Sequence, residues 1–146
     1  MKNLNILFVC KYNRFRSRVA EAYFKKINKN KDINIKSAGV IKGNPVNELS
    51  AKIARKFKIN IKGKTKGLTP KILEWQNMIV IVADDVPASI FSNNKKYSKK
   101  VIVWKIADVR ESEINTKGKI QVIKKIIKRI EGLNKDIESG RIKWTR

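Results

Sequence analysis

Cys10 is the chain's only cysteine, and Arg14, Arg16 and Arg18 follow it within eight residues, with no carboxylate before Glu21. Cations and loop amides around a thiol favour the thiolate, which is its nucleophilic form. Arg16 stands six residues after Cys10, and Ser17 comes next. If Lys11–Phe15 is a tight loop feeding a helix that starts near Ser17, its N–H groups and the helix's positive end make an oxyanion site. Arg16 would then close over the anion and hold two of its oxygens with its guanidinium fork. A thiolate beneath a bound phosphate is placed to attack phosphorus, which is covalent phosphoryl transfer without metal or histidine. Most lone cysteines are small buried hydrophobes. Cys10 differs in sitting between an apolar run and a helical segment, with Arg and Ser at a fixed distance.

The composition closes other routes. With no histidine, a zinc centre of the usual kind, a Ser/His/Asp triad and a Cys/His pair are excluded. One cysteine can form neither an internal disulfide nor a thiolate metal site. No metal or cofactor is expected. The 35 Lys+Arg against 12 Asp+Glu give a formal charge of +23, which attracts anions over a distance set by salt. Lysine supplies most of that excess, and Ile and Asn are plentiful too, so compositional bias explains it as well as function does. There is no zinc-finger spacing, RNP-like aromatic run or basic region leading into heptads, so specific nucleic-acid recognition is not expected. The opening "LNILFV" is too short for a signal-peptide core, and no apolar run approaches a membrane span. A cytoplasmic protein without a membrane partner is expected.

Elements able to hold Cys10 and Arg16 can be read from periodicity. Four short apolar runs alternate with helical segments. Leu4–Val9 reads as a strand, and Val19, Tyr23, Phe24 and Ile27 share a helix face. Ile33–Ser37 is a second strand ending at Gly39, followed by a helix carrying Leu49, Ile53, Ala54 and Phe57. After the Lys/Gly-rich loop from Ile61 to Thr69, Pro70 opens a short helix with Thr69 as its cap. "NMIVIVA" is apolar throughout, as in a strand covered on both faces. Asp84 or Asp85 is expected to cap a brief helix through Ile90 and Phe91, before a fourth strand, "KVIVW". Ile120, Ile123, Ile127, Ile130, Leu133 and Ile137 mark a long final amphipathic helix. Such alternation implies an α/β fold: one domain over 1–146, with a four-stranded parallel sheet flanked by helices. Ligands of such sheets gather beyond the strands' carboxyl ends, where Cys10 lies. Asp108, past the fourth strand, shares that edge with Asp84 and Asp85.

The run C-K-Y-N-R-F-R-S from Cys10 to Ser17 resembles the signature of the low-molecular-weight protein tyrosine phosphatase family, which is Cys, five residues, Arg, then Ser or Thr. The likeness continues through Ala20 and Glu21, "SAGV" at Ser37–Val40, the loop, helix and third strand of "INIKGKTKGLTPKILEWQNMIVIVAD", and "VIVWKIAD". The resemblance implies a three-layer domain with strand order 2-1-3-4, and a metal-independent phosphomonoester phosphatase working through cysteinyl phosphate. Cys10 would be the nucleophile and Arg16 the phosphate ligand. Ser17 would steady the thiolate, and Asn13 would hold the loop's shape. Asp108 would be the acid and later the base, with Lys11, Tyr12, Arg14 and Phe15 completing the binding loop. Phosphorylated proteins or small phosphomonoesters are the implied substrates, with phosphate and sulfate as simple ligands.

The chain departs from the family pattern in several places. Tyr12 replaces a glycine, and a left-handed backbone there would strain a tyrosine by about 1–2 kcal/mol. Tyr12 is also the residue expected to restore part of a missing aromatic wall. Phe15 stands where many members have a second cysteine, Arg18 replaces a proline, and Val109-Arg110-Glu111 replaces the start of the usual acid-loop sequence. Two other functions fit the same loop: arsenate reduction completed by external thiols, and oxyanion binding without turnover.

Overall fold

The computed structural model describes residues 3–97, 99–109 and 116–142. Four parallel strands form one sheet: β1 (Leu4–Cys10), β2 (Ile33–Gly39), β3 (Met78–Val82) and β4 (Lys100–Trp104). Their order across the sheet is β2-β1-β3-β4, as the sequence implies. The chain steps from β1 to one side and returns to the other, so strand order reverses between β1 and β3. Cys10 closes β1 at that reversal, in register with Gly39 of β2.

Alternate side chains of β1 serve opposite layers. Leu4, Ile6 and Phe8 pack with Val19, Ala20 and Phe24 of helix α1 (Arg16–Ile27), and with Ile123, Ile126 and Ile130 of helix α5 (Thr116–Glu138). Leu7 and Val9 face the other way and join Ile79, Ile81 and Phe91. All five residues of β3 are buried, which explains its unbroken apolar sequence. β4 is an edge strand, and its outer residues are correspondingly more exposed.

Between these, α2 (Glu48–Arg55) is capped by Asn47, whose side chain accepts from the Leu49 and Ser50 amides. Helix α3 (Pro70–Trp75) opens as expected, Thr69 accepting from the Ile72 amide with Pro70 in the first turn. After β3 the chain forms a 3₁₀ turn, Ala88–Phe91, and α4 (Ser92–Lys96). Here one expectation fails. Pro87, not an aspartate, precedes the turn, and no side chain caps it.

Two local features fix the loop after β1. A Cβ on Gly39 would lie 2.6 Å from the Tyr12 carbonyl carbon and from the Ile41 oxygen, so only glycine lets the loops after β1 and β2 run this close. Arg18 gathers the carbonyls of Ile61 (3.2 Å), Lys62 (2.9 Å) and Lys64 (2.6 Å), tying the Lys/Gly-rich loop to α1.

Candidate active site

The β1–α1 loop turns at Asn13, whose φ of 58° makes it the loop's left-handed residue. Tyr12 has no such conformation, so the strain considered for it does not arise. Asn tolerates this region better than most residues, because its short polar side chain can bond locally. Asn13 is fully buried and does so. Its Oδ1 accepts from the Lys66 amide at 2.9 Å, which fixes the orientation of the side-chain amide. Nδ2 therefore points its two hydrogens at Ser17 Oγ (2.8 Å) and Ser37 Oγ (2.9 Å).

The direction of the Ser37 bond follows, because a carboxylate accepts. Ser37 donates its hydroxyl hydrogen to Glu21 Oε1, a carboxylate that also pairs with Lys25. Ser17 Oγ already accepts from Asn13, and its own hydrogen is free for Cys10 Sγ at 3.0 Å. At this distance Ser17 can give its hydrogen to the sulfur or take one from it. The carbonyls of Cys10, Lys11 and Tyr12 accept from the amides of Val40, Ile41 and Gly43. The N–H groups of Lys11, Tyr12, Asn13 and Phe15 meet no protein acceptor among the described residues. Phe15, at the cap position of α1, offers no side-chain hydrogen bond to the helix's first amides.

Cys10 is only 2% exposed, yet it lines a cavity of about 180 Å³ together with Arg16 and Asp108. Tyr12, Arg14 and Phe15 add the wall from the loop, and Val109 and Lys119 close it from the far side. Asn13 and Ser17 lie buried behind the loop, and the Lys11 ammonium sits 5.2 Å from the Tyr12 ring. Arg16 is buried as well. Its guanidinium donates to the Ile106 carbonyl at 2.9 Å and to Asp85 Oδ1 at 3.0 Å, with Asp84 and Asp108 carboxylate oxygens each at 3.8 Å. Asp84 and Asp85, expected to cap a helix, instead face Arg16 across the β1/β3 reversal. Asp108 is half exposed and accepts from the Val109 amide at 2.9 Å. Arg110 and Glu111, part of the altered acid-loop sequence, lie outside the described residues.

The sequence profile described as low molecular weight phosphotyrosine protein phosphatase matches residues 5–138. The chain belongs to this family. Its members are cysteine-dependent phosphatases, and so is this one. Solved structures share the fold. An arginine phosphatase, YwlE, from Geobacillus stearothermophilus superposes with a TM-score of 0.79 at 18% identity, over 94% of this chain and 95% of the other. A protein tyrosine phosphatase from Entamoeba histolytica gives 0.76 at 19% identity, over 96% and 100%. An arsenate reductase from Archaeoglobus fulgidus gives 0.68 at 25% identity, over 88% and 98%. No curated protein matches at a significant level. At identities this low, the phosphatases show the common fold alone.

Within this family member, several residues at the site carry no chemical motif of their own. Glu21 and Ser37 matched the family pattern, but their hydrogen bonds to one another and to Asn13 show only in three dimensions. Lys119 lies beside the apolar positions that mark the final helix in sequence, and it is 5% exposed and lines the cavity. Burial holds its ammonium below the usual lysine range; Asp108 pulls it back up, and Arg14 pushes it further down.

Proposed function

We propose that the protein is a metal-independent phosphomonoester phosphatase of the protein tyrosine phosphatase type, acting through a cysteinyl-phosphate intermediate. The observation that carries this reading is the buried chain from the Lys66 amide through Asn13 to Ser17, which holds a hydroxyl able to donate to the Cys10 sulfur beside a loop of unpartnered amides. The unpartnered loop amides and Arg16 bind the phosphoryl oxygens. Cys10 Sγ attacks phosphorus, the phosphorus–oxygen ester bond breaks, and Asp108 gives its proton to the departing oxygen. Water then attacks the thiophosphate, Asp108 recovers a proton from it, and phosphate leaves with the thiolate restored. On this reading residues 1–146 work as one domain in the cytoplasm. The substrate is a phosphorylated protein or a small phosphomonoester, with no call for nucleic acid or a membrane.

Purified protein is expected to hydrolyse an aryl phosphate in the presence of a chelator, and Cys10→Ser to lose at least about a thousandfold in kcat. Activity that survives this substitution, or that the chelator removes, overturns the proposal. The likeness to an arsenate reductase keeps a second reading in view. With one cysteine in the chain, arsenate reduction would need external thiols at every later step. Arsenate-dependent consumption of thiol by the wild type would favour that reading.

A further inference from the structure

Lys119 lies in the first turns of α5, and its surroundings are unusual for a lysine. It is 95% buried, lines the same cavity as Cys10 and Asp108, and makes no hydrogen bond or ion pair among the described residues. Its ammonium sits 5.0 Å from the centre of the Phe15 ring, a contact that offsets only part of the lost hydration. Three donors on a buried charge with no acceptor among the described residues are costly to the fold.

The cavity lining places Lys119 within the site, where Asp108 favours its protonated form and Arg14 opposes it. Arg16, which holds the phosphoryl oxygens on the reading above, is instead turned toward Asp85 and the Ile106 carbonyl. Asp108 is the proton donor to the leaving oxygen on that same reading. Lys119 shares one cavity with Asp108, so a substrate whose leaving oxygen meets Asp108 brings its leaving group into the space that Lys119 lines. An uncharged aryl leaving group would fill this space and leave the ammonium unpartnered. A leaving group bearing an anion would complete it.

The geometry points to Lys119 as a specificity-determining residue that binds a second anionic group, a carboxylate or further phosphate, on the part of the substrate released by hydrolysis. This inference rests on the proposed phosphatase chemistry for its orientation, but it can be read by binding alone. An acidic residue beside the phosphorylated one in a protein, or an anionic small molecule, presents the same chemistry.

The test compares benzylphosphonate with carboxybenzylphosphonates substituted at the 3- or 4-position, titrated calorimetrically into the wild type, Lys119→Gln and Lys119→Arg. The wild type is expected to bind a carboxylated probe roughly tenfold or more tightly than the plain one, as for a hydrogen bond to a charged group. Lys119→Gln should bring the ratio of the two constants to within about twofold, and Lys119→Arg should keep most of it. No preference in the wild type, or one that persists in Lys119→Gln, overturns the inference. So does an equal weakening of both probes, which would mean that Lys119 serves Asp108 or the phosphoryl group. Failure of both phosphonates to bind would remove this inference and the proposed function together. Binding with the carboxylate preference but no aryl phosphate hydrolysis would remove the proposed function alone.

A parallel arm distinguishes the two sources of the anion. Wild type and Lys119→Gln are compared on phosphotyrosine peptides with Asp or Ala beside the phosphorylated residue, and on 3-carboxyphenyl and phenyl phosphate. A KM advantage for the acidic peptide, lost in Lys119→Gln with little change in kcat, assigns the subsite to protein substrates. The same pattern confined to the small pair assigns it to metabolites.

Discussion

Arg16 is held before any anion arrives. A guanidinium 2% exposed needs acceptors, and it finds the Ile106 carbonyl and Asp85, both within 3.0 Å. Asp84 and Asp108 lie farther away, at 3.8 Å, and are partly solvated, so their attraction is weaker. Asp85 is thus a positioning residue, and what it supplies is an acceptor at a fixed point. Asp85→Asn keeps that acceptor and is expected to stay within about fivefold of wild type in kcat/KM. Asp85→Ala leaves a buried donor unmet and should lose roughly ten- to a hundredfold, matching about 1–3 kcal/mol. Steady-state kinetics on an aryl phosphate measures both. If Asp85→Ala is as active as the wild type, the Ile106 carbonyl alone positions Arg16.

At the scale of elements, α1 and α5 must stay docked, because one carries Arg16 and the other Lys119. Tyr23 of α1 donates its phenol hydrogen to Glu131 Oε2 of α5 at 2.9 Å, linking the two helices at the surface. Partial burial, and then Glu131, raise the Tyr23 pKa above its ordinary 10.0. A pKa raised in the folded state means that the neutral phenol favours folding. This contribution is complete below pH 10 and is lost as pH rises through the raised value. Tyr23→Phe should therefore lower stability by up to about 1 kcal/mol at pH 8. That gap should close in strongly alkaline solution, as urea denaturation at the two pH values would show. A gap that stays constant with pH would mean the phenyl packing had changed instead of the hydrogen bond. The helices and strands themselves were legible in sequence, because each buries a face and burial leaves a period. The sheet order came with the family resemblance, and the cysteine loop with the spacing of Cys10, Arg16 and Ser17. Helix α4 was not legible: "SNNKK" has no buried residue and hence no period. Asp85 was legible on the Cys10 edge of the sheet, expected there as a helix cap, but not as a partner of Arg16, and Lys119 carried no signal of its own. Their partners come from strand reversal and from α5 packing over the β1–α1 loop, which are facts of tertiary structure.

At the scale of the molecule, the formal charge of +23 acts on stability and on substrate capture in opposite senses. Self-repulsion opposes the compact state, while the same field draws a dianionic substrate toward the cavity. Salt screens both, with a Debye length falling from about 30 Å at 0.01 M to about 3 Å at 1 M. Sodium chloride should therefore raise the melting temperature while lowering kcat/KM. Between about 0.02 and 0.5 M the fall should be on the order of tenfold if the field steers substrate, with kcat much less affected. A melting temperature that rises while kcat/KM stays flat would mean that the excess lysine is compositional and that capture depends only on Arg16 and the loop amides. The contrast is sharp because screening acts on exposed lysines at long range, whereas Arg16 is buried and, in the proposed function, meets the phosphoryl group within contact distance, where added salt has little effect.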